Sequence, residues 1–260
     1  MTFANYAGNA LLGATAAVFA WVTLYPQHAR NGPVLEAALA LVTEKPSIAA
    51  GGTVEAPATG AASEAGTALD ALTNAVRPLS HPRALADAFN GYFAYKAAHP
   101  TDVKKPYLYF VDYGLPSTKP RGYVFDMEAL TVVEGPFTVA HGRGSSTDKY
   151  GVPTRFSNRP GSYATSLGLY LAQETYGFSG KAGGRSYGSI GLKLAGLSGD
   201  NNDNARMRRV VAHGAPYVTA TRAGHSEGCP AMEPARAKRL LPKLANGGLV
   251  FLFAPPDYQG

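Results

Sequence analysis

The chain has 260 residues, of which 45% are hydrophobic and 16% charged, with 30 glycines, 19 prolines, a single cysteine and a formal charge of +6. That length allows one large domain or two small ones with a sizeable core, and the Gly/Pro content with few charges disfavours a helical bundle. One thiol excludes an intramolecular disulfide framework. Basic residues are scattered, with no run longer than Arg208-Arg209 or Lys104-Lys105, so the concentrated patch of a nucleic-acid binder is missing. A diffuse positive excess suits a polyanionic cell wall or a substrate with several carboxylates; solubility alone accounts for it equally well.

In chain order, Tyr6 to Tyr25 holds no charged residue, and Leu11, Leu12, Val18, Phe19, Trp21, Val22 and Leu24 give it an apolar centre. Residues 1–26 are therefore expected to be a signal peptide or a membrane anchor, although the basic n-region of a secretory signal is absent. Export places the protein in the periplasm or cell envelope. Residues 27–65 are expected to be a flexible linker, since the stretch 44–66 is rich in Pro, Gly and Ala and has too few large apolar groups to offset the entropy of ordering.

Residues 66–99 read as a helical segment packing on the domain that follows. Leu69, Leu72 and Val76 share one face, and Leu85, Ala88, Phe89, Tyr92 and Phe93 recur at helical spacing. Residues 100–257 change to short strands around Pro/Gly turns: 107–111, 123–125, 131–133 and 137–139. A loop-like region over 141–190 follows, then a buried strand 209–212 that delivers His213. Pro234 to Leu241 is a short helix with proline in its first turn, ended by Pro242 and Gly247-Gly248, and 249–253 is a closing strand. The fold class expected is α+β, a β-rich domain with a mixed sheet or sandwich and short helices, preceded by a helical segment.

Cys229 lies in Gly224-His225-Ser226-Glu227-Gly228-Cys229-Pro230, a loop composition that puts sulfur at a surface or cleft. A thiol of ordinary pKa is scarcely ionised at neutral pH, so a nucleophilic cysteine needs a base or a positive field. His213 is the best base, because it closes a strand and precedes a glycine. Gly228 frees the backbone to turn amides inward as an oxyanion hole, and Ser226 is placed to tie the loop or the imidazole. Two rivals fail on spacing. A phosphate-cradling Cys-x5-Arg is absent, since Arg236 lies one position too far. A zinc site needs several close ligands, whereas only His225 and Cys229 form a near pair; no metal or cofactor is expected.

Six stretches resemble the murein L,D-transpeptidase catalytic domain, in a branch distant from the YkuD-type enzymes: Val139-Ala140-His141-Gly142, Arg155-Phe156-Ser157-Asn158, Gly161-Ser162-Tyr163 with Ser166-Leu167-Gly168, Asn202-Asp203-Asn204-Ala205-Arg206, Val211 to Val218, and Ser226-Glu227-Gly228-Cys229-Pro230-Ala231. By that resemblance Cys229 is the acylated nucleophile, His213 the general base and later acid, and Ser226 and Gly228 shape the catalytic loop. Such enzymes cut an L-to-D peptide bond in a peptidoglycan stem and pass the acyl group to a second stem; water as acceptor gives a carboxypeptidase or endopeptidase instead. A binding protein without catalysis is the remaining alternative. The resemblance also implies acylation by carbapenems. Where the branch has Arg-Ser-x-Gly-Cys, this chain has His225, and Glu227 is expected to face outward because a carboxylate beside the thiol would raise its pKa. Arg155, Arg206 and Arg209 are candidates for stem carboxylates, Tyr163 and Asn158 for lining groups, and His225 and His141 for neighbours of the site.

Overall fold

The computed structural model describes residues 56–258, with side chains from residue 59 onward; the expected signal or anchor (1–26) and linker residues 27–55 lie outside the described residues. Helices α1 (Ala56–Leu72) and α2 (Ala84–Ala98) lead into strands β1 (Tyr107–Asp112), β2 (Gly122–Asp126), β3 (Thr131–Phe137), β4 (His141–Gly142), β5 (Gly168–Ala182), β6 (Arg185–Gly196), β7 (Val211–Gly214), β8 (His225–Ser226) and β9 (Ala231–Met232). Helix α3 (Pro234–Leu244) and strand β10 (Leu249–Phe253) complete the order. Eight strands form one sheet in the order β3-β2-β1-β10-β5-β6-β7-β9, while β4 and β8 pair separately. Pairs β1–β10, β7–β9 and β4–β8 are parallel and the rest antiparallel. The expected α+β class with a mixed sheet and a preceding helical segment is the one found.

Strand alternation divides the core between two helical layers. Leu108, Phe110, Phe125, Leu249 and Phe251 face α1 and α2, where they meet Leu72, Leu85, Phe89 and Tyr92. Tyr109, Val111, Val124, Val250 and Leu252 face the opposite side, against Leu240, Leu241 and Leu244 of α3. Successive side chains of a strand point to opposite faces, so a sheet covered on both sides reads as a continuous apolar run, as in Leu-Val-Phe-Leu-Phe of β10. That strand, expected to close the fold, lies between β1 and β5 near the middle of the sheet.

Four expectations change. Residues 56–65, assigned to the linker, belong to α1: alanine has the highest helix propensity, and Ala65 and Ala68 are buried beneath the helix. Residues 168–196, which begin inside the expected loop region of 141–190 and run past its end, form the longest hairpin of the described chain. Its alternation is aromatic with Gly, Ser and Lys instead of aliphatic with polar, which disguises the period. Gly183 and Gly184 turn it with φ of 56° and 78°, the positive values that a two-residue hairpin turn requires. Strand β3 runs through Gly135-Pro136, with its register against β2 shifted there, where two separate strands were expected. Helix α3 includes Pro242 and continues to Leu244; a proline in the last turn forfeits little of the helix ladder.

Phe89 is fully buried and meets Phe125 edge-on at 5.5 Å, joining α2 to the sheet. Phe89→Ala is expected to cost about 3–5 kcal/mol in urea unfolding; a loss below about 1 kcal/mol would mean that the helical layer is not coupled to the sheet.

Candidate active site

The parallel pairing of β7 with β9 sets His213 opposite Ala231, two residues after Cys229, and brings the imidazole and the thiol to one wall. The loop before the thiol is tied by one hydroxyl. Ser226 Oγ accepts the Gly228 amide at 3.2 Å and donates to the Cys229 carbonyl at 2.7 Å. Gly228 has φ of 113°, and a Cβ there would lie 2.8 Å from the Ala164 carbonyl, so only glycine fits the conformation and the space. Cys229 is half-buried, with Sγ 3.9 Å from the carbonyl of Arg209, which itself sits at a left-handed φ of 56°. Strained non-glycine backbone concentrates at functional sites, and Tyr163 on the facing loop, at φ 52°, is a second instance.

Hydrogen bonds assign the imidazole tautomers. His213 Nδ1 lies 3.1 Å from the Gly214 carbonyl and must donate to it, which leaves Nε2 as the lone-pair nitrogen. The ring stacks on Phe178 with centroids 4.1 Å apart. Burial lowers the His213 pKa to about 4 against the help of the Gly214 bond, so the ring is neutral at physiological pH. Burial likewise pushes the Cys229 thiol up to about 11; the Val211 amide and the Arg208 charge oppose the rise, while Glu227 adds to it. Both groups are therefore neutral at rest, a thiol and an imidazole lining the same cleft. Glu227 is exposed, as expected, and reaches Arg143 at 3.9 Å.

Cys229, His213 and Ser226 line an open cleft of about 790 Å³, with Tyr163, Arg209 and His225 among its other walls. Its rim carries Arg143, whose guanidinium covers the Tyr163 ring at 3.6 Å. The remaining expected residues lie elsewhere. Asn158 Nδ2 holds the Asp200 carbonyl at 2.9 Å and Asp203 at 2.6 Å, a tie between loops. Arg155 Nε donates to the Gly144 carbonyl at 3.3 Å. Arg206 is exposed and outside the cleft lining. His141 is wholly buried behind His225, with ring centroids 5.0 Å apart; burial, helped by Arg121 and His225, lowers its pKa to about 3.

Among the cleft residues that escape the sequence reading are Phe178 and Lys181 from β5, Tyr187 from β6, and Arg208. The first three sit on the disguised hairpin. A twin signal existed in the aromatic alternation of Tyr176, Phe178 and Tyr187 around Gly183-Gly184, which is a hairpin pattern once the turn is read.

A buried neutral imidazole, a half-buried thiol and a glycine-shaped loop thus line one open cleft, a set of groups chemically able to transfer an acyl group. Residues 78–253, more than half of the chain, match the family model described as the L,D-transpeptidase catalytic domain, YkuD_2. The chain belongs to that family. No curated protein matches it by sequence. Among solved structures it is similar to an L,D-transpeptidase from Mycobacterium smegmatis (13% identity, TM-score 0.35, covering 57% of this chain and 59% of that one). It is similar also to an L,D-transpeptidase from Stackebrandtia nassauensis (17% identity, TM-score 0.35, covering 86% and 91%). The chain thus spans 59% of the length of the Mycobacterium smegmatis structure.

Both buried imidazoles have pKa values below the ordinary 6.5, so their contribution to stability is complete above that pH and is lost as pH falls towards 4. Unfolding then takes up as many as two protons, a slope of up to about 2.7 kcal/mol per pH unit. Urea unfolding of His213→Asn between pH 7 and 4.5 is expected to show a slope shallower by up to about 1.4 kcal/mol per unit than the parent; equal slopes would mean that His213 is not held neutral by burial.

Proposed function

We propose that the protein is a peptidoglycan L,D-transpeptidase that works outside the cytoplasm through a thioester on Cys229. The observation that carries this reading is the pair formed by Cys229 and a neutral His213 whose Nδ1 is committed to the Gly214 carbonyl, within one open cleft. His213 Nε2 takes the thiol proton as Sγ attacks the carbonyl carbon of an L-to-D bond in a donor stem. Negative charge gathers on the carbonyl oxygen. Because the Gly228 amide is bound to Ser226 Oγ, the oxyanion is assigned to the amide of Cys229 itself. The imidazolium returns its proton to the leaving amine, and the D-side product departs.

The amine of a second stem then attacks the thioester, His213 removes a proton, and Cys229 leaves as thiolate with the crosslink made. Tyr163, Arg209 and His225 are assigned to the cleft walls that hold the stems, with the Arg209 guanidinium facing a stem carboxylate. Residues 1–26 are assigned to export or anchoring and 100–257 to the catalytic domain, with the helical segment before it as a supporting layer. Among the described residues no helix is long and apolar enough to cross a membrane.

Mass spectrometry of disaccharide-peptides incubated with the full chain and with Cys229→Ala tests this reading. Crosslinked dimers formed only with the thiol intact are expected, with at least a 1,000-fold loss in the variant, on the order of what removing a covalent nucleophile costs. Trimmed monomers alone would make the enzyme a hydrolase of the same bond, and no product would leave a wall-binding protein. A carbapenem is expected to add its mass once to the folded protein, at Cys229; no adduct after prolonged incubation would count against a reachable nucleophile.

A further inference from the structure

The steps above leave the site's most unusual cation unused. Arg208 is half-buried in the cleft wall, where its Nη2 donates to the Ala164 carbonyl at 2.6 Å and to Ser162 Oγ at 3.3 Å. The same nitrogen lies 3.4 Å from the position of a Cβ on Gly228, so the guanidinium rests against the residue that precedes the nucleophile. Its Nη1 is buried and has no hydrogen-bond partner, and among the described residues no carboxylate pairs with it. A buried, charged N–H without an acceptor is costly. Nη1 is closed to solvent, so it is suited to a charge formed inside the wall more than to one carried in by a ligand. The sulfur of Cys229 feels this charge, as does the Tyr170 hydroxyl.

We propose that Arg208 is the positioning residue that readies Cys229 for ionisation: Nη2 clamps the Ala164 carbonyl against Gly228, while Nη1 supplies the positive field that the thiolate completes. When the thiol proton passes to His213 Nε2, the thiolate supplies a nearby counter-charge to a buried cation that has none at rest, so the field of Arg208 favours the step towards the acyl-enzyme. The other cations of the cleft are worse placed for this. Arg143 is spent on the Tyr163 ring and Glu227, and Arg209 and Lys181 are exposed, where solvent and salt screen them. Besides Arg208, the ionisable groups that act on the sulfur are Glu227 on the loop and the phenols of Tyr113, Tyr170, Tyr176, Tyr187 and Tyr217, while His213 on β7 lines the same cleft. Burial holds every one of these phenols protonated beyond its ordinary range, so below pH 10 the charges that matter are Arg208 and Glu227.

This inference deepens the transpeptidase reading but is tested without peptidoglycan, so each can fail alone. The chain has one cysteine, and its alkylation by iodoacetamide, in which the thiolate forms the S–C bond and iodide leaves, reports that thiol only. The rate is followed against pH for the full chain, Arg208→Gln and Arg208→Lys, with thermal melts beside them. Arg208→Gln retains a donor for the Ala164 carbonyl and loses the charge. Its rate profile is expected to move up by about one pH unit, equivalent to about tenfold slower alkylation at a fixed pH on the rising limb. Arg208→Lys is expected to recover most of that loss. A profile for Arg208→Gln that overlays the parent would overturn the proposal. An equal shift in the Lys variant would also overturn it, because the clamp and not the charge would then be the whole role. If Arg208→Gln does not fold, Arg208→Met, which keeps the aliphatic stem, carries the same expectation and the same refutation.

Discussion

The buried guanidinium of Arg121 is the constraint on which the catalytic wall depends. It is fully enclosed, donates through Nε and Nη2 to the Val139 carbonyl at 3.1 and 2.7 Å, and through Nη1 to the Leu115 carbonyl at 2.5 Å. Nη2 also reaches His141 Nδ1 at 2.9 Å, and the Tyr113 ring lies 4.8 Å from the charge. Among the described residues no carboxylate touches it; Asp112 lends its field while its oxygens serve Ser80 and Gly114. Burial lowers the Arg121 pKa to about 10, so the group stays charged at neutral pH and must stay fully bonded. One side chain thereby ties two segments of chain, the turn at Leu115 and the stretch from Val139 to His141, where β4 begins. Because β4 pairs with β8, the position of Ser226 and of the loop behind Cys229 follows from a cation with no contact to the cleft.

Electrostatically, the site is built by exclusion of water more than by paired charge. His213 and Cys229 both have their neutral forms favoured by burial, and the strongest ionic contacts of the described chain, such as Arg236 with Glu134, lie away from the cleft. In the proposed reaction a base held neutral has its lone pair free for the thiol proton, and an oxyanion formed in so buried a wall is poorly screened, so each donor near it counts for more.

Much of this was legible in the amino-acid order. The helical periodicity of Leu85, Ala88, Phe89, Tyr92 and Phe93 survives as a buried stripe of α2, whereas the strand expected over 209–212 runs from Val211 to Gly214 and carries His213 within it. Local chemistry also located the Ser226–Cys229 loop, because a hydroxyl, a glycine and a thiol at that spacing specify a tight turn. What remained hidden depends on partners distant in sequence. Asn158 and Arg155 have the composition of binding residues, but whether they face a groove or tie a loop is decided by Asp203 and Gly144. Arg208 looked the same as Arg209; only the arrival of Ala164 and Gly228 separates an inward guanidinium from an exposed one. The linker boundary was missed for a different reason, since alanine and glycine serve a disordered tether and a closely packed helix alike.

The long hairpin bears on time as well as shape. Beyond Thr175 and Ile190 its two strands have only each other as partners, and a two-stranded ribbon by itself is marginally stable. Phe178, on that outer half, is the ring that covers His213. The lowered pKa of the imidazole is therefore only as long-lived as the paired ribbon: each local opening re-wets the ring and raises its affinity for a solvent proton towards the ordinary value. Proton exchange at His213 and amide exchange along the ribbon are, in this architecture, one clock.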